Sequence, residues 1–392
     1  MSNMRFFLVL ILLSIVSCNI SLSQSNGSCN YAQVMALSTS PCNYSPFVAV
    51  FEDDFNGNQL DINKWIPING VVRDVYHLKE RQWYTPNNIL LNNGTLKLIA
   101  KKETLLNQCF TIWITGSGYQ SFCQDFYYTS AEINSKYKFM YGKYEIRCKI
   151  PKGKGFWPAF WTYGGRGSEI DVFEFWNEKN IFGNYDPDLL SKVINTNIYY
   201  NYDNNNNDDR ESCSFKVKDG IDYSQSFRTY TLIYNKNSIE WYVDNILVRK
   251  EYLYKDILGR NLDCGINSPT LALINKSYPR NMPMSIMANL AIQCNNNNEP
   301  DINTPFPSNY EIDYIRFYKQ LPMGNFLVYN ETSEVNLEND LFNAIGGKVV
   351  TLQNNISIPD NAQLKVLATD EINLNNGFSV GSNSDFEAKI IN

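Results

Sequence analysis

The sequence predicts an all-β fold, a sandwich or barrel of many short strands, and three observations carry that prediction. From Phe47 onward, brief runs of Val, Ile, Tyr, Phe and Thr alternate with polar turns, among them Asn92-Asn-Gly94, Asn235-Lys-Asn237 and Val243-Asp-Asn245. Few stretches carry the period of an amphipathic helix. Aromatic residues make up 14% of the chain, with 26 tyrosines and 22 phenylalanines, and such side chains suit pleated, half-buried surfaces. At 392 residues there is room for one large β domain and a smaller one.

Residues 1–23 read as an export signal: Arg5 supplies a positive start, Phe6 to Val16 is an apolar run, and small residues follow. The run is too short to span a bilayer as a helix. Two processing readings stay open. Cleavage after Ser23 releases a secreted protein, whereas Ile15-Val-Ser-Cys18, read as a lipobox, anchors the chain to the cell envelope through Cys18. Either leaves Cys29, Cys42, Cys109, Cys123, Cys148, Cys213, Cys264 and Cys294, an even set that favours disulfides in an exported chain. Cys109 and Cys123 flank what reads as a hairpin and are expected to pair; Cys29 with Cys42 is a second local pairing. Zinc is disfavoured, because no CxxC pair occurs and His77 is the only histidine. Residues 24–47 form a lead-in strap rich in Ser, Asn and Cys.

Net charge is −6 and no basic run exceeds two residues, which argues against nucleic acid as a partner. Asn204–Asn207 and Asn295–Asn298 are low-complexity runs expected in loops. In Tyr144 to Ile150, alternation predicts a strand, and Pro151 to Gly155 turns the chain. Trp157 and Trp161 follow. A tryptophan can stack on the C–H face of a sugar ring or fill a core, and both readings apply here.

The most informative stretch is Glu169-Ile-Asp171-Val-Phe-Glu174, three carboxylates in six residues interleaved with apolar ones. Alternation predicts a strand with one wet face. Period two places Glu169 and Asp171 together but puts Glu174 out of phase. A one-residue bulge near Val172-Phe173 restores the phase, and bulges concentrate beside active sites. An acid triplet on a strand is ordinarily a solvated face. Three acids gathered on one surface also fit glycoside hydrolysis, in which two carboxyl groups about 5–5.5 Å apart serve a retaining mechanism. Glu311-Ile-Asp313 repeats the first three letters, but Arg316 replaces the final acid, so that copy reads as structural.

This stretch resembles the active-site strand of glycoside hydrolase family 16, in the bulged Glu-x-Asp-x-x-Glu type of laminarinases, β-agarases and carrageenases. The resemblance extends through residues 51–65, 81–103, 127–161, 239–250 and 311–319, in order. It implies a two-sheet β-jelly roll, a concanavalin A-like sandwich, over residues 48–320. It also implies Glu169 as nucleophile, Asp171 as its helper and Glu174 as acid/base, with no cofactor needed for catalysis. Trp157 and Trp161 would line the subsites beside the cleavage point, Tyr199 and Trp176 are further substrate-binding candidates, and Trp83 and Trp113 are weaker ones. Many members carry a histidine in a Thr-Asn-x-His segment; here Thr196-Asn-Ile-Tyr199 puts a tyrosine in that place, which can donate a hydrogen bond but does not titrate near neutrality. A structural calcium is implied near Asp53, Gly94 and Asp313.

Residues 323–392 form a C-terminal β-repeat module. Short strands are expected at Val349–Leu352, Asn355–Ile358, Leu364–Leu367 and Glu371–Leu374, and the ending resembles the coathanger-stack modules of exported Bacteroidetes proteins. The whole then reads as an exported, monomeric endo-glycosidase acting on a β-linked polysaccharide. Segments such as GKGFWPAFW and RQWYTPNN look closest to the β-1,3-glucan branch. Marine galactans (agar, porphyran, carrageenan) are the alternative substrate, and a non-catalytic sugar-binding module on the same fold is the alternative class.

Overall fold

The computed structural model describes residues 31–37, 47–71, 80–114, 118–165, 168–176, 186, 189–200, 211–235, 237–256, 270–275, 279, 283–293, 298–320, 326–329, 342–352, 357–358, 363–375 and 377–390. Two antiparallel sheets dominate. The front sheet has seven strands in the spatial order Glu211–Val217, Ile194–Tyr200, Ser168–Glu174, Phe156–Gly165, Met284–Ile292, Glu132–Phe139 and Trp65–Pro67. The back sheet has eight strands, centred on Gly142–Lys149 and the long strand Ser308–Gln320. Phe47–Asp53 and Thr95–Ala100 pair with successive stretches of that long strand. The all-β jelly-roll expectation therefore holds. Among the described residues, helical structure is limited to short 3-10 turns such as Pro86–Asn88.

Alternation drives this arrangement. Thr95–Ala100 buries every second residue, and the same pattern on both sheets fills the space between them with one core. Phe173 on the acidic strand meets Tyr230 of the back sheet at a ring-centroid distance of 4.3 Å. Trp65, Phe160, Trp241 and Tyr310 are likewise buried. Two of the expected turns are two-residue hairpin loops. Asn93 and Gly94 have φ of 53° and 69°, and Asp244 and Asn245 have 47° and 65°. Both central residues in the left-handed region define a type I′ turn, whose twist matches the flanking strands.

The lead-in contributes Tyr31–Leu37 to a small three-stranded sheet with Thr270–Asn275 and Tyr254–Asp256. The expected hairpin is Leu105–Ile114 paired with Gly118–Phe126, and Cys109 and Cys123 face each other across it in a disulfide. Cys148 departs from the disulfide expectation: it is a free thiol buried in the core, alongside the buried Tyr144 and Ile146 of the same strand. The export signal, Cys18, Cys29, Cys42, His77, Cys264 and Cys294 lie outside the described residues, as do the side chains of Trp113 and Cys213.

The C-terminal residues form a parallel arrangement. Phe326–Tyr329, Phe342–Leu352, Gln363–Leu374 and Asp385–Ile390 pair side by side. Gln363 pairs with Asp385 and Ser357 with Ser379, each 22 positions on, so the chain winds in coils of about that length. Leu364–Leu367 and Glu371–Leu374, expected as two strands, are one. Val350, Leu352, Ile358, Leu364, Val366 and Ala368 make its core.

Candidate active site

The acidic strand Ser168–Glu174 lies third from one edge of the front sheet, between Phe156–Gly165 and Ile194–Tyr200. Residues directly opposed in an antiparallel ladder project to the same face. On that basis Glu169 sits between Tyr163 and Tyr199, Asp171 between Trp161 and Asn197, and Glu174 between Ala159 and Asn195. The bulge is present where the spacing requires it. Asp171 and Phe173 oppose Trp161 and Phe160 on one neighbour, and Asp171 and Glu174 oppose Asn197 and Asn195 on the other. Three residues thus span the length of two, and Glu174 regains the face of Glu169 and Asp171. Ile170, Val172, Phe173 and Phe175 are all buried in the sandwich core.

The acids differ in surroundings. Glu169 is half-buried, whereas Asp171 and Glu174 are 2% and 8% exposed. The Trp157 indole N–H donates to Glu174 Oε1 at 3.0 Å, and Asn197 Nδ2 donates to Oε2 at 3.0 Å. Asn195 Nδ2 donates to the main-chain oxygen of Glu174 at 3.3 Å. Both oxygens of this carboxyl group are therefore oriented, and its backbone is held as well. Trp157 also stacks on Trp176, with centroids 5.0 Å apart and planes inclined by 19°. The two half-buried rings form an aromatic step beside Glu174.

Trp161 lies on the same face, beside Asp171, but is buried; its indole N–H donates to Asn289 Oδ1 at 2.9 Å. Asn289 Nδ2 donates onward to the Tyr84 hydroxyl, which donates in turn to Glu80, and Gln82 Nε2 also donates to Glu80. Glu80, Gln82 and Tyr84 alternate along one short segment and so point the same way. Trp83 points elsewhere, packing on Phe126 at 5.4 Å and donating to Asn69.

Asp53 accepts from the Phe55 amide at 3.0 Å and the Trp65 indole at 2.8 Å, and Asp313 accepts from Arg147. Gly94 occupies the nearby hairpin turn. These carboxylates serve the protein's own donors. Among the described residues, no three Asp, Glu, His or Cys side chains converge to hold a metal.

Sequence reasoning did not single out Asn195, Asn197, Asn289, Tyr163, Trp241 or Arg249. For the first two a signal existed: Asn195-Thr-Asn197-Ile-Tyr199 alternates, so both asparagines share the face of Tyr199. Trp241 and Arg249 belong to the back sheet. Trp241 donates to the Asp171 main-chain oxygen at 3.0 Å. Burial pulls the Arg249 guanidinium below its ordinary value, while its ion-pair partner Glu251 and the charge of Asp171 act the other way.

Comparison with known proteins gives this geometry its context. The sequence model of Glycosyl hydrolases family 16 matches residues 79–263, which contain the whole acidic strand and its two neighbours. Over 299 residues the chain is 25% identical to "Glucan endo-1,3-beta-glucosidase A1" of Niallia circulans, a match covering 69% of this chain and 38% of that protein. It is 28% identical over 227 residues to "Glucan endo-1,3-beta-glucosidase" of Cryptopygus antarcticus, covering 54% and 72% respectively. A solved structure described under "Prominent members of the human gut microbiota express endo-acting O-glycanases to initiate mucin breakdown" superposes with a TM-score of 0.51 at 27% identity. That match covers 70% of this chain and 91% of the other. The bulged acidic strand stands at the centre of the region that resembles glycosyl hydrolases family 16.

Proposed function

We propose that the protein is a retaining endo-β-glycosidase whose substrate is a β-1,3-glucan of the laminarin type. The observation that carries the reading is the bulge, whose register returns Glu174 to the face of Glu169 and Asp171. Glu174 gives its proton to the glycosidic oxygen while Glu169 attacks the anomeric carbon. The bond to the leaving sugar breaks and a glycosyl-enzyme ester forms. Glu174, now a carboxylate, takes a proton from water, which attacks the same carbon; the ester breaks and Glu169 is restored. Asp171, between the outer two acids, orients the nucleophile. The Trp157–Trp176 step and Tyr199, directly opposite Glu169, offer surfaces for flanking sugars.

The glucan assignment draws on the two glucanase relatives and on the segments around Trp83 and Trp157. Export follows from the N-terminal signal, with or without lipidation at Cys18. The test is release of reducing ends from laminarin, lichenan, agarose and carrageenan, with product anomers followed by NMR. Activity on laminarin with β products appearing first is the expected result. Activity on galactans alone would move the substrate. Inverted products would remove the double displacement, and binding without cleavage would leave a sugar-binding module.

A further inference from the structure

The mechanism above uses groups on the cleft face of the front sheet, yet the acidic strand is also gripped from the other side. Arg249, on the back-sheet strand Ile246–Tyr252, is 4% exposed. A charged side chain buried this deeply costs stability unless its donors are satisfied. Its Nη1 donates to the Thr196 main-chain oxygen at 3.0 Å and to Thr196 Oγ1 at 2.9 Å, and its Nε donates to Glu251 at 3.1 Å. The guanidinium lies 4.4 Å from the centre of the Trp241 ring. Trp241, on the adjacent back-sheet strand, donates its indole N–H to the Asp171 main-chain oxygen, on the N-terminal side of the bulge.

Thr196 has a particular position. Alternation sends its side chain into the sandwich while Asn195 and Asn197, on either side, face the cleft. Those two asparagines hold the Glu174 main-chain oxygen and the Glu174 carboxyl group. One stacked pair on the back sheet therefore fixes both strands that meet at the bulge, one through Asp171 and the other through Thr196. Ordinary core packing needs neither a charge nor directed donors here, and a buried guanidinium whose Nη1 reaches both Thr196 oxygens while its Nε is held by Glu251 gives angular restraint that an apolar side chain cannot.

We propose that Arg249 and Trp241 are positioning residues: from behind the sheet they hold the Asn195–Asn197 segment and the bulge in the register that aims Glu174 at the glycosidic oxygen. The proposal deepens the glycosidase reading and rests on it for its kinetic consequences, though not for its geometry.

The test uses the full chain with Arg249→Met, Arg249→Lys, Trp241→Phe and Thr196→Val. Glu174 matters as an acid only when the leaving group needs a proton. A polysaccharide needs one; a dinitrophenyl glycoside of the released oligosaccharide does not. Misaiming the acid by about 1 Å costs about 100-fold in rate. Arg249→Met is expected to lower kcat on polysaccharide by about that factor while changing formation of the glycosyl-enzyme from the aryl glycoside less than about fivefold. Arg249→Lys keeps the charge but not the fork and should recover only part of the loss. Equal losses on both substrates would show a merely structural role and overturn the proposal.

A second readout is independent of activity. In Arg249→Met the side-chain amide NMR signals of Asn195 and Asn197 should shift or broaden; unchanged signals would overturn the proposal even in a protein with no hydrolase activity. If Arg249→Met fails to fold, Thr196→Val and Trp241→Phe carry both measurements. Trp241→Phe removes the bond to Asp171, and Thr196→Val removes the bond from Arg249 together with the one Thr196 Oγ1 donates to the Phe215 main-chain oxygen; the same selectivity is expected in smaller measure, with the same contrary results.

Discussion

Replacing Trp157 with Phe separates the two roles this residue has beside Glu174. The indole N–H donates to Glu174 Oε1 at 3.0 Å, and the ring stacks on Trp176 at 5.0 Å. Phenylalanine keeps most of the stacking and loses the donor. A hydrogen bond to an ionised group contributes about 1.5–3 kcal/mol. In the proposed mechanism Glu174 is only partly deprotonated at the transition state of the first step, so about half of that, near 1 kcal/mol, bears on the rate. The variant should therefore lose about fivefold in kcat/KM at neutral pH. The direction of the pH effect is sharper than its size. The donor stabilises the bare carboxylate, so without it Glu174 keeps its proton to higher pH, and the basic limb of the kcat/KM profile should move upward. Full profiles on laminarin, with a thermal melt to confirm the fold, make the measurement. A basic limb that stays in place or moves down would refute the assignment of the proton donor.

Three further outcomes are expected. With azide added, Glu174→Ala should convert an activated aryl glycoside into the β-glycosyl azide and Glu169→Ala into the α-azide, because azide replaces water in one case and the missing nucleophile in the other; reversed anomers would exchange the two roles. Phe173→Ala empties a fully buried site between the sheets, packed against Tyr230, and should cost about 3–5 kcal/mol, read as a fall in the urea midpoint; a change below about 1 kcal/mol would mean that the sheets close over the space. Burial, aided by Tyr254, pushes the Tyr141 hydroxyl up to about 12 from its ordinary value of 10.0. Since the folded state holds this proton more tightly, its contribution is intact below pH 10.0 and is lost as pH rises towards about 12. Tyr141→Phe should flatten the alkaline decline in stability, and identical slopes would remove this account.

Much of this architecture is local. The acidic strand, its bulge, the Asn93-Gly94 and Asp244-Asn245 turns and the Cys109–Cys123 hairpin all follow from alternation, turn chemistry or short spacing, because each involves neighbours in the chain. The C-terminal coils were legible only as short strands. Parallel pairing joins residues 22 positions apart, as Gln363 with Asp385, and no local period marks a partner at that distance.

Chain order alone requires that the three carboxylates share a face if the strand bulges, since a period of two leaves Glu174 out of phase otherwise. What surrounds each acid depends on the packing of the strands. Trp157, Asn195 and Asn197 reach Glu174 from the neighbouring strands, and Trp241 and Arg249 reach the same bulge through the core from the opposite sheet. The physical reason is that alternation settles the direction of a side chain relative to its own strand, whereas its contacts depend on which strands lie beside and behind it, and that is set by how the two sheets close on their shared core.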